Sequence, residues 1–373
     1  MRAALRSAAV ASHAGQFVWL DLNCDDPRNA AFLSSHFNMG YPLLLIVDPD
    51  TAAVTRMLPG SAPPAQLVEF LRDATARPSG PADEALQRGD ALLGAGDDRG
   101  AAAAYDQALS AGGALWKRHD HAIEQLIGAL QVNDRRTCVA RGATEASRMP
   151  RGHEFVNVAG TAVSCLAAEP TLIASEPGHQ LEALAGAALS EPSASEDDHY
   201  QIFEALYAIR HQAGDDAGGH ALAERYLDYV DHRPAATSDD EHMARDLARL
   251  RAAIKLGTPE RVIPALEASE RTLPRDENAS ARLASAYTAA HRYPDAIAAC
   301  TRGLARGAGP GGTQRLLSAR ASAEAKAGDL VAARRDLDAA LAAASRIPVV
   351  TLRDFATTQV RSQLDALGAS APH

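Results

Sequence analysis

The sequence predicts a mainly α-helical protein: a solenoid of helical repeats preceded by a small α/β segment. Three observations carry this expectation. Alanine fills 81 of the 373 positions, and alanine has the highest helix propensity. Before about residue 80, short apolar runs alternate with helical patterns, whereas after it only helical patterns occur. Windows sharing small and apolar positions then recur, with Val262, Ala296 and Ala333 spaced 34 and 37 residues apart, the signature of stacked helical hairpins.

In the first segment, residues 2–12 (RAALRSAAVAS) read as a helix. Phe17-Val18-Trp19-Leu20-Asp21-Leu22 is a short apolar run rich in aromatic and branched residues, and reads as a buried strand. Asp25-Asp26-Pro27 places a capping carboxylate before proline, so a helix is expected from there to about Phe37. Pro42 to Val47 reads as a second buried strand, Asp48-Pro49-Asp50-Thr51 as a turn, and Val54 to Leu58 as a weaker strand. Pro63 to Ala74 closes the segment as an amphipathic helix with Leu67, Phe70 and Leu71 on one face.

Pro78, Gly80 and Pro81 form a linker. The division expected is therefore 1–77 and 82–367, with the clearest repeats at 84–110 and 243–347. The first repeat carries Gly89, Leu92, Gly96, Ala101, Tyr105, Ala108 and Leu109. Small residues belong where the two helices of a hairpin cross, and larger ones between hairpins. Between these regions, helices are expected at 117–131, 134–147, 153–168, 179–190, 196–212 and 217–231, punctuated by Pro170, Pro177 and Pro192. Thr258-Pro259-Glu260 and Ser238-Asp239-Asp240-Glu241 read as helix starts.

The repeat spacing resembles that of tetratricopeptide repeats, and residues 1–76 resemble the thioredoxin-like fold of bacterial proteins. The second resemblance rests on FVWLDLN, the Asn29 to Leu33 helix, Tyr41-Pro42 opening an apolar strand, the D-P-D turn and Gly60. It implies that Tyr41 and Pro42 form a substrate loop with a cis peptide bond between them. It also implies a first strand and a paired-cysteine loop, neither of which has a counterpart in the chain. Without that central strand two apolar edges go unpaired, so residues before Pro81 are expected to be loosely held and removed by proteolysis. The alternative reading is a thiol–disulfide oxidoreductase whose C-x-x-C lies upstream of Met1.

Four cysteines, at 24, 138, 165 and 300, are far apart in sequence. With no C-x-x-C among them, they read as free thiols in a reducing compartment. No catalytic residue, metal site or cofactor is expected. His119 and His121 lie two apart, on different faces of a helix, and Asp197-Asp198 and Asp239-Asp240 fall at helix starts, where carboxylates cap. Gly309-Pro310-Gly311-Gly312 lacks the lysine of a phosphate loop. The net charge of −10 opposes nucleic-acid binding. No apolar run approaches the ~20 residues of a membrane span. The function expected is a protein-interaction scaffold, cytoplasmic, with a redox-inactive N-terminal domain and a peptide or protein partner.

Overall fold

The computed structural model describes every residue except 1, 25, 37–42, 60–61, 193, 237, 274–275, 277 and 370–373. The Tyr41–Pro42 bond, and with it the expected substrate loop, lies outside the described residues. The chain folds as two compact units, one of residues 1–19 and 38–222, the other of residues 20–37 and 223–373.

The first unit opens with two short helices, α1 (Arg2–Leu5) and α2 (Ala8–Ala11), where one was expected. The break falls at Ser7, whose hydroxyl accepts a hydrogen bond from the Val10 amide and restarts the helix. In the second unit, Asp26 caps a single turn at Pro27–Asn29 that leads into α3 (Ala30–His36). Strands β1 (Leu43–Val47) and β2 (Val54–Pro59) of the first unit pair antiparallel, with Leu44 opposite Leu58 and Leu45 opposite Met57. Their turn is built by Asp48, whose Oδ1 accepts from the amides of Asp50 and Thr51. Helix α4 (Pro64–Thr75) lays Leu67, Phe70 and Leu71 against Val10, Leu58 and the inner side chains Leu44 and Ile46.

Phe17–Leu22 does not form the expected strand. It runs as irregular chain, with Val18 89% and Leu20 76% exposed. A strand needs a neighbour to take its backbone groups, and among the described residues the sheet holds only β1 and β2. Phe17 instead packs on the α4 core, and the Trp19 indole donates to the Ala14 carbonyl at 3.1 Å. The described residues of 1–77 therefore do not assemble a thioredoxin-like sheet.

From Pro81 onward the chain is helical hairpins. In the first unit these are α5 (Pro81–Gly94) with α6 (Asp98–Gly112), α7 (His119–Asn133) with α8 (Arg135–Ala146), and α9 (His153–Ala167) with α10 (Glu176–Ala188). Then come α11 (Glu196–Gln212) and α12 (Asp216–Asp231). The second unit adds α13 (Asp239–Lys255) with α14 (Ile263–Thr272), α15 (Ala279–Ala289) with α16 (Tyr293–Ala305), and α17 (Pro310–Lys326) with α18 (Leu330–Ala344). Helix α19 (Val350–Ala369) lays Val360 against Leu317, Ala321 and Leu337, and meets α3. The Val350 amide donates to the Ser34 hydroxyl at 3.1 Å.

Five hairpins turn in the same way. Gly96, Gly214, Gly257, His291 and Gly328 all take positive φ, between +58° and +91°. In each case the next amide reaches back to the carbonyl five residues earlier: Asp97 to Leu92, Asp215 to Arg210, Thr258 to Ala253, Arg292 to Tyr287 and Asp329 to Glu324, at 2.8–2.9 Å. This is the Schellman closure of a helix C-terminus, which favours glycine because only glycine escapes the Cβ penalty there. After three of these glycines an aspartate caps the next helix, Asp97 accepting from Gly100, Asp215 from Gly218 and Asp329 from Ala332, each at 2.9 Å. Thr258 departs from expectation: its side chain caps nothing, Pro259 opens a single 3-10 turn, and α14 begins four residues later.

Small residues let helices approach both within and between hairpins. A Cβ at Gly89 of α5 would lie 2.5 Å from the Tyr105 ring of α6, and one at Gly303 of α16 would lie 2.7 Å from Leu316 of α17. The cysteines correct a second expectation. Cys138 of α8 and Cys165 of α9 form a disulfide across a Cα–Cα distance of 6.3 Å, while Cys24 and Cys300 are free. Burial pushes the Cys300 thiol up to about 12, so it stays protonated.

Candidate interaction surface

Stacked hairpins bring equivalent helices side by side: α7, α9 and α11 pack on one another in the first unit, and α13, α15 and α17 in the second. Side chains on these helices decide what the array can recognise.

In the first unit they form two sets of polar contacts, each running from one hairpin to the next. Asp83 on α5 accepts from the Ser79 amide and hydroxyl at 2.9 and 2.5 Å and from the Trp116 indole at 3.1 Å. Arg118, just before α7, donates to Asp73 of α4 at 2.7 Å and stands 3.9 Å from Asp83. One turn along α7, the His121 Nδ1 is 3.8 Å from the Glu124 carboxylate. The Asn157 amide on α9 donates to Glu124 at 2.6 Å and meets His153 at 3.0 Å. Deeper, Asp90 of α5 accepts from Arg56 of β2 at 2.9 Å and from the Tyr105 hydroxyl at 3.0 Å.

The charges follow from this placement. Burial works against protonating His121, but Glu124, Asp90 and Asp73 together outweigh it and hold its pKa above the usual histidine value. Burial likewise works against ionising Glu124, yet the contacts from His121, His153 and Asn157 keep it below the usual carboxylate range. For Asp90 the balance is reversed: burial pushes it up in spite of Arg56 and Tyr105. His121 keeps 29% of its side-chain surface and Glu124 12%; the Glu124 Oε2 that faces His121 is buried, so it is the imidazole that can meet a ligand from outside. The face sets carboxylates beside the Arg118 guanidinium, the His121 imidazole and the Asn157 amide, so it offers both acceptors and donors.

In the second unit the equivalent charges are turned inward. Asp246 of α13 is buried with Arg249 and Arg282 3.7 Å away and His242 at 4.0 Å. Glu270 of α14 accepts from Ser280 of α15 at 2.6 Å and from Arg302 of α16 at 2.8 Å. Arg320 of α17 pairs with Asp336 of α18. The Asp246 and Glu270 contacts tie hairpin to hairpin, and Arg320–Asp336 closes one hairpin on itself.

His119 and His121 do fall on different sides: His119 pairs with its neighbour Asp120, His121 with Glu124. Asp198 reciprocates the Ser195 cap of α11 and Ser238 caps α13 through the Glu241 amide, as the helix-start reading requires. Among the described residues no group of three His, Cys, Asp or Glu side chains is placed to hold a metal ion, and no helix is long and apolar enough to cross a membrane. Sequence reading missed these polar contacts. Their members sit in different repeats, and only their i to i+3 and i+4 spacing on α7 and α9 hints that they share a face.

No family model matches the chain, and no curated protein matches it. Among solved structures, a tetratricopeptide repeat protein from Parabacteroides merdae ATCC 43184 is similar, at 10% identity and a TM-score of 0.45, over 75% of this chain and 98% of that one. The TPR2AB domain of yeast Sti1, solved in a pHSP90 complex, is similar over the same shares at 14% identity and a TM-score of 0.26. Overlaps this loose decide nothing about the chain. Its repeat character rests on the five matching turns.

Proposed function

We propose that the chain is a protein-interaction scaffold that binds a peptide or protein partner along the polar faces of α5, α7 and α9. The observation that carries this reading is the pair of inter-hairpin contacts on these helices, Asp83 of α5 with Arg118 before α7 and Glu124 of α7 with Asn157 of α9, which span three successive hairpins, with His121 partly open beside them. Repeats that contact mainly their neighbours present such a row of side chains to a single extended ligand. Residues 82–367 act as the repeat domain in this reading. Residues 1–77 act as a redox-inactive accessory segment whose single cysteine is Cys24.

The test is a displayed peptide library selected against the full chain, followed by affinity measurement on variants. Glu124→Ala and Asn157→Ala together are expected to weaken the selected peptides at least tenfold while helicity by circular dichroism is unchanged. Gln107→Ala, on α6, serves as the control. Selected peptides that bind the double variant as well as the wild type, or that are lost with Gln107→Ala, overturn this choice of face.

A further inference from the structure

We propose that the Cys138–Cys165 bond is installed by a disulfide oxidant while the chain folds, so that the protein matures in an oxidising compartment. This replaces the reducing setting expected from the cysteines. It stands apart from the partner-binding reading and survives or fails independently of it.

The argument begins with how α8 and α9 cross. Gly142 of α8 faces Ala162 of α9 so closely that a Cβ on Gly142 would lie 2.2 Å from the alanine methyl. Cys138 lies four residues before Gly142 and Cys165 three residues after Ala162. On antiparallel helices these are the next facing positions, one turn away from the crossing. Gly142 therefore acts as the positioning residue: the close crossing sets the backbone separation of 6.3 Å at the cysteines, within the range a disulfide spans.

The second step is access. Cys138 and Cys165 are 0% and 1% exposed. Exchange requires a thiolate to reach a sulfur in line, and neither sulfur can meet an external reagent in the folded hairpins. Oxidation must come before the crossing closes. The Cys138 thiolate attacks one sulfur of the oxidant disulfide and expels the other as thiolate. The Cys165 thiolate then attacks the Cys138 sulfur of that mixed disulfide and expels the second oxidant thiolate. The pair gives up two protons and two electrons, and the oxidant is reduced to two thiols. Such bonds persist where thiols are not continually re-reduced.

Three measurements decide the matter. First, cells that naturally make the protein are quenched in acid, and the denatured chain is alkylated without reductant. Two alkylated thiols, Cys24 and Cys300, are expected, with tryptic peptides 137–141 and 152–210 recovered joined; four alkylated thiols overturn the proposal. Second, reduced protein is offered glutathione disulfide either unfolded or already folded. The unfolded chain is expected to form the bond at least tenfold faster, and equal rates overturn the folding-coupled step. Third, the Cys138→Ser/Cys165→Ser variant is compared with oxidised wild type. Closing a loop of this span should raise Tm by roughly 10 °C, and the reduced wild type should melt like the variant. A variant as stable as the oxidised protein shows that the bond does not staple the hairpins.

Discussion

Arg56 on β2 donates to Asp90 on α5 at 2.9 Å, and both side chains are buried, at 7% and 6% exposure. The pair crosses the Pro78–Pro81 linker. Beside it Val54 fills the space above Gly94, 2.8 Å from where a Cβ would stand, and Arg118 reaches back to Asp73. The α/β segment is thus bound to the first hairpin by charge and by packing. A missing sheet partner alone gave no hint of this.

Removing one member of the buried pair should be costly. Arg56→Met leaves Asp90 without its cation and is expected to destabilise the chain by about 3–5 kcal/mol, whereas Arg56→Met with Asp90→Leu should recover most of that loss. Urea unfolding of the three proteins checks the order. A single variant as stable as the double one contradicts the assignment.

The same contacts reverse the expectation that residues before Pro81 come away easily. Trypsin does not cut the Arg77–Pro78 bond, so a site-specific protease sequence inserted between these two exposed residues opens the linker. After cleavage there, the two fragments of wild type are expected to co-elute in gel filtration. In Arg56→Met they should separate. Separation in wild type would show that the linker contacts are not held in solution.

His291 holds a left-handed conformation, φ 58°, in a turn where four other hairpins use glycine. A Cβ in that conformation costs roughly 1–2 kcal/mol, part of which the extra backbone freedom of glycine takes back. His291→Gly should stabilise by up to about 1 kcal/mol, less whatever the imidazole gains from Tyr293 at 2.8 Å. Gly328→Ala should destabilise by about 1 kcal/mol. Thermal melts of both variants, taken together, test whether the five turns obey one rule.

His121 makes stability depend on pH. Its folded pKa is raised above the ordinary 6.5, so its contribution is complete below that value and fades as pH rises through the folded pKa. Glu124 is lowered from its ordinary 4.5, so its contribution is present above that value and fades as pH falls through the folded pKa. Unfolding followed by the fluorescence of Trp116, which hydrogen-bonds Asp83, should weaken on the alkaline side of 6.5. His121→Gln should flatten that limb. An unchanged alkaline limb in the variant would place the titrating group elsewhere.

Much of the fold was legible because its signals are local. The helix over 196–212 is found where periodicity places it, since the Ser195 cap and the apolar stripe lie within one segment. Gly96, Gly214 and Gly328 mark turns because left-handed backbone leaves little other choice, and the aspartate that follows each of them is a second signal the small-residue pattern did not use. What depends on partners far along the chain was not legible. FVWLDL has the composition of a strand but no neighbour to pair with. Cys138 and Cys165 are 27 residues apart and meet only because Gly142 lets two helices close. The Asp83–Arg118 and Glu124–Asn157 contacts draw on three hairpins, so no single window of sequence contains them.

Ser34 and Val350 are 316 residues apart and joined by one hydrogen bond. A ribosome adding ~5–20 residues per second releases the α3 segment roughly 16–60 s before α19 exists to receive it. Local hairpins close in microseconds, so the stretch from α13 onward can assemble as it emerges, while residues 20–37 wait with their docking site unmade. Completion of the second unit therefore waits for the synthesis of α19, and a chain that stalls before Val350 leaves the α3 segment without its docking site.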